Sequence, residues 1–487
     1  MRETRPYTYL GAVQGMCRQC RKIVPARIVA EGDAVYQERL CPTCGTARAR
    51  IADSLKWYLE RTATPVSCRP FQAECGPVRD GCPHDCGPCA LHANVCHLPV
   101  FSITNACTMA CPICFTYNRA NPKYFMGRDE LRRLLDNVIG RCGPLDLINI
   151  TGGEPTLHPE LAELLEECRR PEIGRITLNS NGLRIAKDEA LCRMLAEHGV
   201  YVILSFDTFD PARSELIHGR DVVHEKLRAL DNLQRHNIGV TLLNVMIRGV
   251  NDDEIGRVIE LAKRHPVVRS ITVQTMTFTG QGGGRFTRGE HMPLDGAAGA
   301  IETATHGEMR GDHFVAHPGA HPLCYSVAYY FRGSDRLRSF TDFLSPAELR
   351  QMLEGGYLLQ PADRNADLFK TALDRLWAGG GDQELLQRIR GLIDALYPPG
   401  KTIDRFTRQR LAEEQILTVY LHSHMDEDTL DLGRLAACPD QVPDPDGRLI
   451  PACAYNLFYR MKDKRFYDGP TDQRQAGMPV EPTCEGL

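Results

Sequence analysis

No apolar run in this 487-residue chain approaches the roughly 20 residues that a membrane-spanning helix requires, and Met1-Arg2-Glu3-Thr4-Arg5 lacks the apolar core of a signal peptide. A cytoplasmic location is the resulting expectation. A dominant charge is missing as well: Lys+Arg number 58 against Asp+Glu 62, a formal net charge of -4. There is no global basic field for a polyanion, so nucleic acid is not expected as a partner. In a reducing compartment 20 cysteines do not make a disulfide framework, which leaves metal binding or catalysis as their use. Thirteen of them lie before residue 115. The length allows two or three domains.

The densest group is Cys107-Thr108-Met109-Ala110-Cys111-Pro112-Ile113-Cys114, followed by Phe115. Three thiolates in so short a loop wrap one side of an iron-sulfur cubane and leave one iron open for a small molecule. Three buried core thiols or half a zinc site are the alternatives; Pro112 and the spacing fit neither a core strand nor a helix. Upstream, Cys17-x2-Cys20 and Cys41-x2-Cys44 have the spacing of a zinc ribbon or rubredoxin-like site, with iron or zinc equally admissible. Cys82-x3-Cys86-x2-Cys89-x6-Cys96, set among Gly and Pro, suits a complete 4Fe-4S site or a second zinc site. Cys324, Cys438 and Cys453 stand alone, and isolated cysteines are ordinarily small buried hydrophobes. Cys142, Cys168 and Cys192 fall in apparent helices as core residues, while Cys68, Cys75 and Cys484 receive no role.

From residue 98 onward short apolar runs alternate with amphipathic ones, the rhythm of strand-helix units with parallel strands. Strands are expected over 100–104, 145–151, 175–179, 201–206, 239–246 and 270–274, and helices over 129–139, 159–169, 189–198, 223–236 and 253–264. Functional groups of such barrels gather at the C-terminal strand ends. Thr151-Gly152-Gly153-Glu154-Pro155 follows the second strand, Asn179-Ser180-Asn181 ends the third, and Ser205-Phe206-Asp207 ends the fourth. Glycines allow a close backbone approach to a ligand and a carboxylate supports an ammonium group; an ordinary turn is the plainer reading of each motif taken singly. Gln281-Gly282-Gly283-Gly284 closes a loop without the Gly-Lys-Ser of a phosphate cradle.

Cys107-x3-Cys111-x2-Cys114 with its following aromatic, and the Gly-Gly-Glu-Pro element one unit later, resemble the radical S-adenosylmethionine (radical SAM) superfamily. Together with 81–115, His321-Pro322-x-Cys324 and the stretch 445–456, the chain is similar to the radical SAM group that contains the tetraether lipid synthase, or class D methyltransferase-like proteins. That resemblance implies an α/β fold: a partial (β/α)6 barrel over 99–290, behind a rubredoxin-like or zinc-ribbon module over 1–60 and an auxiliary-cluster segment over 61–98, with a C-terminal auxiliary-cluster and substrate region over 291–487. It implies that Cys107, Cys111 and Cys114 hold the catalytic 4Fe-4S cluster, and that Gly152, Gly153, Glu154, Asn179, Asn181, Ser205 and Asp207 hold SAM. Cys82, Cys86, Cys89 and Cys96 would hold one auxiliary cluster, Cys324, Cys438 and Cys453 would help hold another, and Cys17, Cys20, Cys41 and Cys44 would bind one mononuclear iron or zinc. One departure from the pattern is Ala437-Cys438, where paired cysteines are expected.

The activity implied is an oxygen-sensitive radical enzyme: reductive cleavage of SAM, hydrogen abstraction from an unactivated C-H bond, and carbon-carbon bond formation on a lipid chain. The alternative is carbon methylation of a small molecule with SAM serving twice, and the alternative of another class is a non-catalytic multi-metal electron carrier. An external donor such as flavodoxin or ferredoxin is the expected partner, beside a lipid or small-molecule substrate. A lipid would suit a wall built from Tyr325, Tyr329, Tyr330 and Phe331 and a peripheral membrane contact through Lys401, Arg405, Arg408 and Arg410, although core packing and a solvated helix are the plainer readings.

Overall fold

The structure, a computed structural model, describes residues 6–69, 78–87, 91–116, 118, 120–282, 286, 288, 291–333, 336–359, 363–380 and 382–468. Alternating apolar residues near the N-terminus form a four-stranded antiparallel sheet of β1 (Thr8–Met16), β2 (Ile23–Glu31), β3 (Ala34–Cys41) and β4 (Gly45–Ala52), paired in sequence order. The β1–β2 and β3–β4 turns lie at the same end of this sheet and carry the two cysteine knuckles. Helix α1 (Leu55–Thr62) follows, its N-terminus capped by Ser54 accepting from Trp57 N.

The barrel consists of parallel strands β5 (Leu98–Thr104), β6 (Ile148–Gly152), β7 (Ile176–Ser180), β8 (Tyr201–Ser205), β9 (Val240–Met246) and β10 (Val268–Thr275). Between them run α2 (Arg128–Cys142), α3 (Leu161–Cys168), α4 (Glu189–Glu197), α5 (Pro211–His218), α6 (Val223–Arg235) and α7 (Ile255–Arg264). All six strands and five helices expected from periodicity are present, each within three residues of its expected bounds. The period-two alternation of β9 shows why a barrel results. Val240, Leu242 and Met246 are buried under the helices, while Thr241, Leu243 and Val245 face a lumen. Helix α6 covers this sheet with Ala229, Leu230 and Leu233.

The sheet continues past residue 290, where the sequence analysis began a separate region. After α8 (Leu294–Ala304) come β11 (Val315–Ala316), β12 (Tyr325–Phe331) and β13 (Arg338–Ser339), then helices α9 (Pro346–Leu353), α10 (Asp363–Ala378), α11 (Gln383–Leu396) and α12 (Arg405–Gln415). Strand β14 (Ile416–His422) adds in parallel to β10, and β12 pairs antiparallel with β14. On the opposite edge β15 (Asp440–Pro443) adds in parallel to β5, with β16 (Leu449–Pro451) antiparallel beyond it. The Tyr325 hydroxyl of β12 donates to the Asp440 carboxylate of β15, so side chains rather than main-chain bonds close the curled sheet. Of the aromatic stripe on β12, only Tyr325 reaches the lumen. Tyr330 belongs to the barrel core, and Tyr329 and Phe331 pack with Phe340 and Phe369 of the helical region.

The N-terminal sheet is fastened to the loop after β14. Arg39 is 2% exposed, pairs with Asp428 at 2.7 Å and donates to Glu427 O, while Gln37 Nε2 donates to Leu430 O. His291, Asp426 and Asp428 lie close enough to hold a cation, but His291 pairs with Asp426 at 3.0 Å and Arg39 with Asp428, so these groups already balance one another. No helix among the described residues is long and apolar enough to cross a membrane.

Candidate active site

The lumen is a cavity of about 410 Å³, within the range of small-molecule sites. Cys107, Cys111 and Cys114 line it together with Gly152, Gly153, Glu154, Asn179, Asn181, Ser205 and Asp207, so one wall gathers every residue assigned to the catalytic cluster and to SAM. The cysteine loop leaves β5 and is held by main-chain bonds: Gly153 N donates to Thr104 O at 2.8 Å, Glu154 N to Ala106 O at 2.7 Å, and Gln281 and Gly282 N to Cys114 O. The two glycines are required by this contact. A Cβ on Gly152 would stand 2.2 Å from Thr104 O, and one on Gly153 would stand 2.2 Å from Ala106 O. Their freedom therefore serves an approach of backbone to backbone, where the sequence suggested an approach to ligand.

Glu154, 2% exposed, is a clamp between strand ends. Its Oε1 accepts from Thr156 N, Thr156 Oγ1 and Ser180 Oγ, and its Oε2 accepts from Asn181 N at 2.7 Å. Burial raises its carboxyl above the usual range and these donors oppose the shift. Asn181 Nδ2 reaches Thr108 Oγ1 at 3.4 Å, and Asn179 Oδ1 is buried with no hydrogen-bond partner among the described residues. Asp207 accepts from Val245 N at 2.6 Å and faces His218 Nε2 at 3.2 Å. Two residues here escaped the sequence reading, His218 and Lys226. Lys226, 2% exposed, donates from Nζ to Ser205 O and Oγ at 2.7 and 2.6 Å. Its signal was available: with Ala229, Leu230 and Leu233 it occupies the apolar stripe of α6, where an unpaired lysine does not belong.

Burial pushes the Cys107 thiol up to about 11 and that of Cys111 up to about 12, with the Lys226 ammonium opposing the shift at Cys111. Thiolates at these positions need a metal to form them and a cation to balance them. The donors are all sulfur, the loop is open on the lumen side, and Lys226 supplies the countercharge, so the residues fit an iron-sulfur cluster. When bound, such a cluster supplies the electron that breaks a sulfonium carbon-sulfur bond. The chain's own part is to hold that loop rigid, set Asp207 and Lys226 beside it, with Asp207 and Cys111 opposing the burial that lowers the Lys226 ammonium, and enclose the reacting molecule away from bulk water.

The remaining cysteines divide. Ligand atoms of Cys17, Cys20, Cys41 and Cys44 lie within 4.8 Å of one another, as a tetrahedral site needs, and the N-H groups of Cys44 and Thr43 hold the Cys41 thiol down to about 7. Cys82 and Cys86 line a small cavity with Asp85, His92 and Leu435; Cys89, Cys75 and Cys484 lie outside the described residues. Cys96 is fully buried in the barrel core beside Cys142, two residues before β5, and the Gln441 N-H of the C-terminal segment points to its sulfur. Cys324, Cys438 and Cys453 influence one another electrostatically around buried Arg434, whose Nε donates to Cys324 Sγ at 3.4 Å. Cys324, Asp431 and Cys453 all support the Arg434 charge, Cys324 most, so this guanidinium fits an anionic sulfur site. Cys453 Sγ faces His424 Nδ1 at 3.6 Å, and the His424 ring stacks on Phe115, next to Cys114.

Comparison with known proteins matches residues 101–262 to the radical SAM superfamily and residues 9–53 to the HMPTM N-terminal zinc ribbon domain. The chain carries a radical SAM domain. It is an enzyme of α/β architecture with an N-terminal zinc ribbon, and the electron-carrier alternative is set aside. The radical SAM domain uses a 4Fe-4S cluster and SAM, and spans β5 to α7, leaving the strands that close the lumen outside it. Among curated relatives, the 7,8-dihydro-6-hydroxymethylpterin dimethyltransferase of Methanocaldococcus jannaschii is 24% identical over 94% of this chain and 96% of its own. The GTP 3',8-cyclase of Chlorobaculum tepidum is 30% identical over 36% of this chain and 52% of its own. The crystal structure of Streptococcus suis SuiB bound to precursor peptide SuiA aligns with 44% of this chain and 46% of its own at 17% identity and a TM-score of 0.37, too slight a likeness to bear on activity.

Proposed function

We propose that this radical SAM enzyme methylates carbon on a small polar heterocycle of the pterin class. The observation that carries the reading is the wall of the lumen. The hydroxyls of Thr177 and Thr241 are already taken by Ile148 O and Ser270 Oγ, but Asn149, Thr272, Gln274 and Thr418 present amide and hydroxyl groups to the cavity. An alkyl chain would cover these groups without pairing them, at roughly 1–3 kcal/mol each, whereas a heterocycle brings its own donors and acceptors. The relative named as a pterin dimethyltransferase, matched over nearly its full length, points the same way. Lipid coupling, the first expectation from the sequence, finds no support in that relative.

In the reaction proposed, one SAM and one electron give methionine and a 5'-deoxyadenosyl radical, which takes a hydrogen atom from the substrate carbon. A second electron and a second SAM convert that carbon to its methyl derivative and S-adenosylhomocysteine. Flavodoxin or ferredoxin would supply both electrons. The SAM-holding roles of Gly152, Gly153, Glu154, Asn179, Asn181, Ser205 and Asp207 belong to this proposal. So do the auxiliary clusters on Cys82, Cys86 and Cys89 and on Cys324, Cys438 and Cys453. The test is anaerobic reconstitution with reductant, SAM and 6-hydroxymethyl-7,8-dihydropterin, followed by mass spectrometry. Methylated pterin together with 5'-deoxyadenosine is expected; 5'-deoxyadenosine without methylated pterin would exclude the assignment.

A further inference from the structure

At the seam where β12 meets β15, the Asp440 carboxylate lines the lumen although the residue is only 4% exposed. Its Oδ2 accepts the Tyr325 hydroxyl, and His422 Nε2 stands 3.8 Å from that oxygen, beyond hydrogen-bond distance. Its Oδ1 is buried and has no hydrogen-bond partner among the described residues. The Tyr325 and His422 rings stack with centroids 3.9 Å apart and planes 13° from parallel, so the surroundings of the carboxylate are fixed by packing. A buried carboxylate oxygen left unpaired is costly, and among the described residues no arginine or lysine forms an ion pair with Asp440. A ligand in the lumen can supply the donor that Oδ1 lacks.

Carboxylate geometry narrows the class. Its two oxygens accept in one plane and Oδ1 has no partner among the described residues, so the complementary partner is a planar pair of N-H donors. A 2-amino-4-oxopyrimidine ring has such an edge in its N3-H and 2-amino group. We propose that Asp440 anchors the substrate in the lumen by pairing with the N3-H and 2-amino donors of a pterin, leaving the opposite ring free for the radical chemistry. This assignment rests on the pterin reading above and adds to it the residue that recognises the ring.

The experiment is a fluorescence binding titration of the anaerobically reconstituted enzyme with two probes, 6-hydroxymethyl-7,8-dihydropterin and its lumazine counterpart, in which oxygen replaces the 2-amino group. Wild-type enzyme should prefer the pterin by roughly 100-fold, because the analogue sets an acceptor against a carboxylate oxygen. In Asp440→Asn the side-chain amide supplies one acceptor and one donor, so pterin affinity should fall roughly 10- to 100-fold while lumazine affinity rises and the preference inverts. Iron content and the cluster spectrum of the variant should match wild type. Unchanged pterin affinity in Asp440→Asn overturns the anchor and leaves the pterin reading intact. An altered cluster spectrum also overturns it, making Asp440 a metal ligand. No pterin binding by wild type removes the pterin reading itself. Should Asp440→Asn not fold, equal affinity of wild type for the two probes still refutes the anchor.

Discussion

The contact between Gly153 and the cysteine loop sets up a substitution whose outcome follows from distance alone. In Gly153→Ala the new Cβ would lie 2.2 Å from Ala106 O and 2.7 Å from its carbonyl carbon, both main-chain atoms that cannot swing aside. The end of β6 must retreat by about 1 Å to reach an ordinary contact. Overpacking of this kind costs about 1–3 kcal/mol, and stretching the 2.7 Å bond from Glu154 N to Ala106 O adds about 1 kcal/mol. The larger effect is on rate, since a 1 Å misplacement of reacting groups is worth roughly 100-fold. The assay is the yield of 5'-deoxyadenosine per cluster under anaerobic reduction, beside a thermal melt. Gly140→Ala is the matched control: Gly140 lies within α2, nothing stands within 4 Å of its Cβ position, and alanine there should stabilise by about 0.5–1 kcal/mol. Wild-type yield and melting temperature in Gly153→Ala, at full iron loading, would refute the packing argument.

Lys226→Met removes the side chain that donates to Ser205 O and Oγ beside Asp207 and Cys111; a stability loss of about 1–3 kcal/mol and a more negative midpoint for the catalytic cluster are expected in a redox titration followed by electron paramagnetic resonance, and an unchanged midpoint would count against its countercharge role. The double variant Cys17→Ala, Cys20→Ala should lose about one metal per chain by elemental analysis while the cubane signals persist; loss of all iron would show that the ribbon is part of the main fold. Burial pushes His97 down to about 3 and His317 down to about 4, both less than a tenth exposed. The unfolded chain protonates these imidazoles near pH 6.5 and the folded chain does not, so stability is complete above that pH and falls as pH drops through the window toward 3–4. At pH 5.5 the two together should cost about 3 kcal/mol relative to pH 7.5. Urea unfolding at the two pH values checks this, and equal stability would contradict it.

The barrel was legible because each of its strands and helices carries its own periodicity: Val240 to Met246 alternates by two, and α6 repeats its apolar residues by three and four. The cysteine loop and Gly-Gly-Glu turn were legible because local spacing sets their geometry. Contacts between distant segments were not. Nothing in Ile416–His422 announces that it will lie beside β10, and Tyr325–Phe331 is buried throughout, so it read as a stripe when its residues serve the lumen, the barrel core and the helical region in turn. The burial of Cys96 was not legible either: spacing linked it to Cys89, and only the start of β5 shows it beside Cys142 and Gln441. Asp440 offered no motif at all, since its meaning depends on a tyrosine 115 positions earlier.

Both flanks of the six-stranded barrel are covered by the last part of the chain, β10 by β14 and β5 by β15. On the ribosome, where the N-terminal portion emerges first, β5 to β10 are therefore complete well before either flank is covered. For that interval the nascent protein exposes two bare strands, the condition that invites intermolecular pairing, and it also exposes the sulfur-bearing loop to whatever delivers iron. β14 covers the first of these strands and the arrival of residue 440 covers the second, so the lumen closes last.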